Sequence, residues 1–269
     1  MEIRYFCSTW GNVETTLEAA LRRIQGTGYD GVELGVPDHA SECAPLRALL
    51  DELGLLLVVQ QWTRGSSPEE HAASFAEQYS RAVLLRPLGV NSHTGKDHFT
   101  LEQNLAVFAR AAECEVAAGI PVWHETHRGR ALFSAPATEA FLNARPELKL
   151  TADFSHWCCV HESMLEDQAA RVVLAAGRTH HLHARIGHSQ GPQIPDPRVA
   201  SARPGMETHL DWWRCIARAR RAAGSGVLTV CPEFGPPPYM TLHPVTGEPL
   251  ADLWSVNLHM RDWLKGQEW

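Results

Sequence analysis

The sequence lacks the marks of a membrane protein, of a secreted protein and of a small zinc domain. It contains no run of eighteen apolar residues, so no segment is expected to span a membrane. The opening residues, MEIRYFCSTW, do not place a basic segment before an apolar one, and they are expected to form a strand rather than a signal peptide. The 7 cysteines include no CxxC pair, which argues against zinc-ribbon and thioredoxin motifs. Scattered cysteines are typical of a reducing compartment, so a cytoplasmic location is expected.

Positive charge is also scarce. The chain has 24 Lys and Arg residues, only three of them Lys, against 31 Asp and Glu residues, for a net charge of −7. Proteins that bind nucleic acids or anionic membranes usually carry a clustered basic surface, so neither partner is expected. A hydrophobic fraction of 44% is enough for a sizeable core. The composition therefore favours a globular protein and argues against a nucleic-acid partner.

Short apolar segments alternate with longer amphipathic ones along the chain, which predicts βα units and a parallel sheet. Eight such units of roughly 30 residues match a single-domain (β/α)8 barrel over residues 1–269. The strands are predicted at 3–10, 31–35, 55–61, 89–94, 121–127, 148–156, 179–186 and 227–234. The alternative, a doubly wound sheet, normally has a GxGxxG loop after its first strand, and this chain has none there. One long loop, residues 188–208, is predicted to cover the mouth of the barrel.

Four ionisable residues fall late in successive predicted strands: Glu125, Asp153, His183 and Glu233. Side chains at the carboxyl ends of barrel strands form the active site, and the two-residue alternation of a strand turns these four inward. Three carboxylates at close range repel one another and are costly to bury. The pattern therefore predicts one divalent metal ion, Mn, Mg, Co or Zn, although any one of these residues alone is more typical of a helix cap or a loop.

Five segments carry a resemblance to a known family. They are GYDGVELG at 28–35, HETHRGR at 124–130, ADFSHW at 152–157, HLHARIGH at 181–188 and PEFGPPPY at 232–239. With them the whole chain resembles the xylose-isomerase-like barrels, which include sugar phosphate isomerases and epimerases, inosose dehydratase and endonuclease IV. The resemblance implies that Glu125, Asp153, His183 and Glu233 hold one divalent metal ion. It also implies that Glu125 and Glu233 move a proton beside a substrate carbonyl.

Further residues are expected to contact the substrate. The resemblance assigns His156 and Arg185 to substrate oxygens, and His93 is an additional candidate late in the fourth strand. Arg128 and its neighbour Arg130 are expected to grip a carboxylate or phosphate, with a surface location as the alternative. Aromatic walls near strand ends stack on sugar faces, and Trp10 and Trp62 are predicted to form them.

The chain departs from the ketose 3-epimerases, which resemble it otherwise. They carry a carboxylate six residues beyond the fifth-strand Glu and an arginine six beyond the seventh-strand His, where this chain has Ala131 and Ser189. This difference favours an acidic or phosphorylated substrate over a neutral ketose. The prediction is a metal-dependent isomerase or epimerase of a sugar, sugar acid or sugar phosphate, acting through an enediolate.

Three alternatives stay open. One is a metal-dependent dehydratase or lyase acting on a related polyol or keto-sugar, and another is a non-catalytic sugar-binding barrel. The third is an endonuclease IV-like hydrolase, which requires a histidine late in the third strand, where Gln60 and Gln61 stand here. Tryptophans in the predicted helices are consistent with a homodimer or homotetramer.

Overall fold

The computed structural model describes residues 1–11 and 16–269, and in these residues eight parallel strands close into a barrel. Each strand pairs with its neighbours in chain order, and β1 pairs with β8. The strands are β1 Glu2–Ser8, β2 Gly31–Gly35, β3 Leu56–Trp62, β4 Gly89–His93, β5 Val122–Glu125, β6 Leu150–Ala152, β7 Thr179–His183 and β8 Val227–Cys231. The predicted (β/α)8 barrel is confirmed.

Helices follow the strands and surround the barrel. They are α1 Leu17–Gly26, α2 Cys43–Leu53, α3 Pro68–Leu84, α4 Leu101–Ala118, α5 Ala135–Ala144, α6 Phe154–His161, α7 Ala169–Ala176, α8 Arg203–Ala222 and α9 Leu253–Lys265. Ser67, Thr100 and Ser134 begin α3, α4 and α5, because each side-chain oxygen accepts a hydrogen bond from a backbone N–H in the first turn. Within the described residues, no helix has both the length and the apolar character needed to cross a membrane.

The structure corrects several predicted segments. The strands predicted to reach residues 10, 127, 186 and 234 end at Ser8, Glu125, His183 and Cys231. The sixth strand was expected to reach residue 156, but it ends at Ala152, because the Asp153 carboxylate accepts from Ser155 N (3.1 Å) and caps α6. The loop predicted at 188–208 ends earlier, since a 3₁₀ turn at Ala200–Ala202 leads into α8 and Pro204 stands in the first turn of that helix.

That same loop does not form the mouth of the central pocket. None of the described residues that line the pocket comes from 188–208. Instead the side chain of Gln193 contacts Gly235, accepting from its backbone N–H (2.7 Å) and donating to its carbonyl (3.1 Å). The loop therefore braces the connection between β8 and α9.

The barrel interior is closed below the site by an apolar floor made of Phe6, Val58, Trp123 and Cys231. The large rings fit because glycines oppose them: a Cβ on Gly31 would lie 2.4 Å from the Phe6 ring. A Cβ on Gly89 would in the same way lie 2.5 Å from the ring of Trp123. The larger apolar core lies between the strands and the surrounding helices. The polar side chains of the candidate site lie above this floor, at the carboxyl ends of the strands.

Acid is expected to destabilise the fold through His209, a buried residue of α8. Its Nδ1–H donates to Gly205 O (2.8 Å), and its Nε2 accepts from Gly187 N (3.2 Å), so the ring must be neutral. Burial lowers the pKa of His209 to about 4, against the opposing hydrogen bond to Gly205. The unfolded chain has the higher pKa, about 6.5, so it takes up the proton first and stability is lost as the pH falls from 6.5 towards 4.

The His209→Gln variant tests this assignment. Between pH 7 and pH 4.5, wild type is expected to lose about 2 to 3 kcal/mol more unfolding free energy than the variant. Urea denaturation at each pH measures the difference, and His98→Gln, at an exposed histidine, is the control. Equal pH slopes for wild type and His209→Gln would contradict the assignment.

Candidate metal centre

The four residues predicted to hold a metal come together at the carboxyl ends of the strands. Glu125, Asp153, His183 and Glu233 each place one ligand-type atom within 4.8 Å of the others. All four side chains are buried. They come from the loops and strand ends of β5, β6, β7 and β8, four neighbours in the barrel.

Local structure holds each of them in place. Glu125 and His183 are the last residues of β5 and β7. Asp153 follows β6, and its backbone N–H donates to Thr126 Oγ1 (2.8 Å). Glu233 lies two residues beyond β8, and the next residue, Phe234, donates its backbone N–H to the side chain of Asn257 (2.9 Å).

Two atoms of this group have no hydrogen-bond partner although they are buried: Glu125 Oε1 and His183 Nδ1. His183 Nδ1 lies 2.9 Å from Glu233 Oε2 and 3.7 Å from Glu125 Oε1, but neither contact has the direction of a hydrogen bond. Buried polar atoms are normally paired, and ligand atoms converging on one centre without bonding each other are typical of a metal site. The residues present therefore fit a divalent ion.

The charges of the site point the same way. Burial opposes protonation of His183, yet the carboxylates of Glu233, Glu33 and Glu125 raise its pKa well above the usual value. A position whose surroundings favour a positive charge this strongly also favours a cation.

Glu33 was missed by the sequence reasoning. It belongs to β2, is fully buried, and accepts hydrogen bonds from His181 Nε2 (3.0 Å), His183 Nε2 (3.0 Å) and Asn91 Nδ2 (3.0 Å). Because His183 donates Nε2–H to Glu33, its Nδ1 is left with the lone pair that a metal needs. Burial alone would raise the pKa of Glu33, but the charges of His183 and His181 and their hydrogen bonds hold it well below its usual range.

A signal for Glu33 was present in the sequence. The motif GYDGVELG was recognised, and Glu33 shares the inward face of its strand with the two flanking glycines, Gly31 and Gly35. The structure also brings Asn91 of β4 into the site, where its Nδ2 donates to Glu125 Oε2 (2.8 Å) as well as to Glu33.

Arg185 is a buried cation beside the carboxylates. Its Nη2 donates to the Asp153 carboxylate and to His156 Nε2 (2.9 Å), and its Nε donates to Ser155 Oγ (3.2 Å). Its Nη1 reaches the backbone oxygen of Glu233 (3.3 Å). Arg185 lines the pocket as predicted for a substrate-binding residue, but the protein itself uses most of its donors. Its guanidinium pairs with Asp153 and also lies within ion-pair distance of Glu233, with Nη1 3.7 Å from Oε2.

Two other sets of ligand-type atoms share members with this site. Glu33 forms one with His181 and His183, and Glu125 forms one with His93 and His127. In the first set, the Nε2 atoms already bond the carboxylate. In the second, His93 Nε2 lies 2.8 Å from Glu125 Oε2. The unpaired atoms belong to the set of four, which is therefore the best candidate for the ion.

A cavity of about 350 Å³ opens above the four residues. Its described lining is Thr9, Trp10, Gly35, Gln60, Trp62, His93, Glu125, His127, Arg130, Arg185, Glu233 and Tyr239. Trp10 meets Tyr239 edge to face, with ring centroids 5.0 Å apart. Trp62 packs near His93, with centroids 5.4 Å apart. The predicted aromatic walls thus line the cavity, and Tyr239 adds a third ring that the sequence reasoning had not assigned.

Two residues predicted to bind substrate lie outside that lining. His156 stands in the first turn of α6 rather than on a strand, and it is fully buried against His127, with ring centroids 3.9 Å apart, and against Arg185. Arg128 is exposed, and its guanidinium lies over the ring of Tyr239 at 5.1 Å. Arg130, two residues further along the chain, lines the cavity.

No protein-family model and no curated protein sequence matches this chain. Solved structures do match it. 3-Keto-D-glucoside 4-epimerase from E. coli has a TM-score of 0.67 at 12% identity, covering 99% of this chain and 100% of its own. The probable 3-DHS dehydratase of petrobactin synthesis from Bacillus anthracis has a TM-score of 0.64 at 14% identity, covering 98% and 100%. Endonuclease IV from Thermus thermophilus has a TM-score of 0.58 at 15% identity, covering 99% and 100%.

The chain has the fold of the xylose-isomerase-like barrels. At these identities the likeness concerns the fold, and the chemistry rests on the site itself. Gln60 lies late in β3, where its side-chain amide contacts His93 Nε2 (3.2 Å) and Glu233 Oε1 (3.4 Å). An amide is a poor zinc ligand compared with a histidine, so Gln60 does not replace the histidine that the endonuclease IV-like alternative requires at this position.

Proposed function

We propose that this chain is a divalent-metal-dependent isomerase or epimerase of a small hydroxy-carbonyl compound: a sugar, a sugar acid or a sugar phosphate. One observation supports this most directly. Two buried, unpaired ligand atoms, Glu125 Oε1 and His183 Nδ1, converge with Asp153 and Glu233 at the base of an aromatic-walled cavity. Mn, Mg, Co and Zn all suit three carboxylates and one imidazole.

The bound ion would polarise the substrate carbonyl and so acidify the neighbouring C–H. Glu125 and Glu233 line the cavity and are the groups that can accept the proton from carbon and return it. The electron pair of the broken C–H bond passes into an enediolate. Return of the proton to the neighbouring carbon, with the hydroxyl proton passing to the former carbonyl oxygen, gives the isomer, and its return to the opposite face of the same carbon gives the epimer. Gln60 helps to orient Glu233, because its Nε2 donates to Glu233 Oε1 (3.4 Å).

The walls of the cavity suit a polyhydroxylated substrate. Trp10, Trp62 and Tyr239 offer ring faces and edges to the C–H surface of a sugar and limit access of water to the reacting carbon. A cavity of about 350 Å³ holds a small molecule. Together with the net charge of −7, this supports a small-molecule substrate rather than a nucleic acid.

The second candidate is elimination of water, because the same enediolate can expel a hydroxyl from the next carbon. Its support is the likeness to the barrel described as a probable 3-DHS dehydratase. A sugar-binding barrel without turnover and a nuclease are less favoured, since the proton-accepting carboxylates are in place and Gln60 occupies the expected histidine position.

Deuterium incorporation tests the proposal. Protein purified without chelator is incubated in deuterium oxide with ketoses, sugar acids and sugar phosphates. We expect deuterium beside the carbonyl of an isomeric product, with about one divalent ion per chain, and loss of this exchange on chelation with recovery on re-addition of metal. Loss of water from the labelled substrate would assign the dehydratase reaction instead. Turnover that persists in metal-free protein would overturn the proposal.

A further inference from the structure

The cavity contains two arginines in different situations. Arg185 is paired with Asp153 and also bonds His156 and Ser155. Arg130 takes part in none of the ion pairs within 4.0 Å among the described residues, although it lines the same cavity and is half-buried. A cation that is partly withdrawn from water without a carboxylate partner is costly, and its usual compensation is an anion that binds to it.

The guanidinium of Arg130 is held in place by backbone oxygens. Its Nη1 donates to Thr63 O (2.9 Å), beyond β3, and lies 3.5 Å from Gly95 O, beyond β4. The turn that carries it is also fixed, because Arg130 N donates to His127 O (3.2 Å) and Ala131 N donates to Thr94 O (3.1 Å). The side chain is therefore positioned before any ligand arrives, which reduces the entropy cost of binding.

The donors that remain are the ones suited to an oxyanion. Within the described residues, the hydrogen bonds of the Arg130 side chain use Nη1, so the edge formed by Nε and Nη2 is left for a ligand. That edge matches two oxygens of a carboxylate or a phosphate. No described carboxylate pairs with Arg130. Burial lowers its pKa, Arg64 repels it, and Glu125 and Asp97 attract it only from beyond ion-pair distance.

We propose that Arg130 binds the anionic group, carboxylate or phosphate, of a substrate whose hydroxy-carbonyl portion lies at Glu125 and Glu233. This narrows the proposed function, on which it rests for the position of the reacting carbons, to sugar acids and sugar phosphates. Neutral sugars would leave the Nε–Nη2 edge unpaired. The sequence named Arg128 together with Arg130 for this role, but Arg128 is exposed and lies against Tyr239.

Calorimetric binding to the full chain loaded with metal tests the assignment without requiring turnover. The probes are matched pairs: gluconate against glucitol, and glucose 6-phosphate against glucose. Wild type is expected to bind at least one anionic probe about 10-fold or more tightly than its neutral counterpart, as a charge-assisted hydrogen bond predicts. The pair that shows the difference identifies carboxylate or phosphate as the recognised group.

Arg130→Gln is expected to weaken binding of that anion by about 10- to 100-fold and to leave binding of the neutral probe within about 2-fold. Arg130→Lys, which keeps the charge but not the fork, should fall between. Arg64→Gln, which removes a nearby exposed cation outside this cavity, is the matched control and should change neither. The melting temperature of each variant checks that it folds.

Equal affinity of wild type for both members of each pair would overturn the inference, as would equal loss of both in Arg130→Gln. Its failure is distinguishable from failure of the proposed function. Charge discrimination through Arg130 without deuterium incorporation refutes the isomerase and keeps the anion site. Deuterium incorporation into neutral sugars without such discrimination keeps the isomerase and refutes the anion site.

Discussion

Glu125→Gln is expected to lower kcat by about 10²- to 10⁴-fold, the range lost when a general acid–base group is removed. The substitution keeps the shape of the side chain but replaces one oxygen by an NH₂ group. Oε2 of Glu125 accepts from Asn91 Nδ2 (2.8 Å) and lies 2.8 Å from His93 Nε2, while Oε1 faces the other ligand atoms. An amide must turn its NH₂ either towards the donor Asn91 or towards the ligand centre.

The loss has two separable parts, which metal analysis and kinetics measure independently. If the amide nitrogen faces the ligand centre, bound metal falls below one ion per chain. If it faces Asn91, metal is retained and kcat falls because no carboxylate is left to accept the proton. Glu102→Gln, in the exposed first turn of α4, is the control and should match wild type in both measurements. Turnover within about threefold of wild type at full metal content would contradict the role given to Glu125.

Glu33→Gln is expected to weaken metal binding by about 10- to 100-fold. Glu33 is not one of the four proposed ligands, but it contacts one of them, His183. Glu33 accepts from His181, His183 and Asn91. A glutamine has one accepting oxygen, so its NH₂ group meets a donor. His183 can relieve that conflict by moving its proton from Nε2 to Nδ1, which removes the lone pair directed at the ion.

Glu33→Ala should act differently, through stability. It leaves the donors of His181, His183 and Asn91 buried without an acceptor, and breaking a buried network of this kind costs about 3–5 kcal/mol. Titration with Mn or Zn measures affinity in the Gln variant, and denaturation of metal-free protein measures stability in both. Glu166→Gln, at an exposed position, is the control. Unchanged metal affinity in Glu33→Gln would show that His183 does not need Glu33 to present Nδ1.

Much of the site could be predicted because barrel geometry is periodic. Inward and outward positions alternate along a strand, so Glu125 and Trp123 share a face, as do His183 and His181, and the structure confirms both. The predicted end of the sixth strand was wrong because the Asp153 side chain accepts a hydrogen bond from Ser155 N. This bond caps α6 and ends the strand pairing. As a result, His156 lies in α6 rather than at the predicted strand end, and it is not part of the cavity lining.

The sequence by itself determined the alternation of strands and helices and the placement of Glu125, Asp153, His183 and Glu233 at the same end of the barrel. These follow from local periodicity and from the parallel direction of the strands. Only the tertiary structure decided which distant groups pair inside the barrel. Closure of the barrel brings Glu33 of β2 to His183, 150 residues away, so the Glu33 carboxylate accepts a hydrogen bond from His183 Nε2. It also separated Arg130 from Arg128, because loop side chains follow no period and only packing against Thr63 and Gly95 directs one of the two guanidinium groups into the cavity.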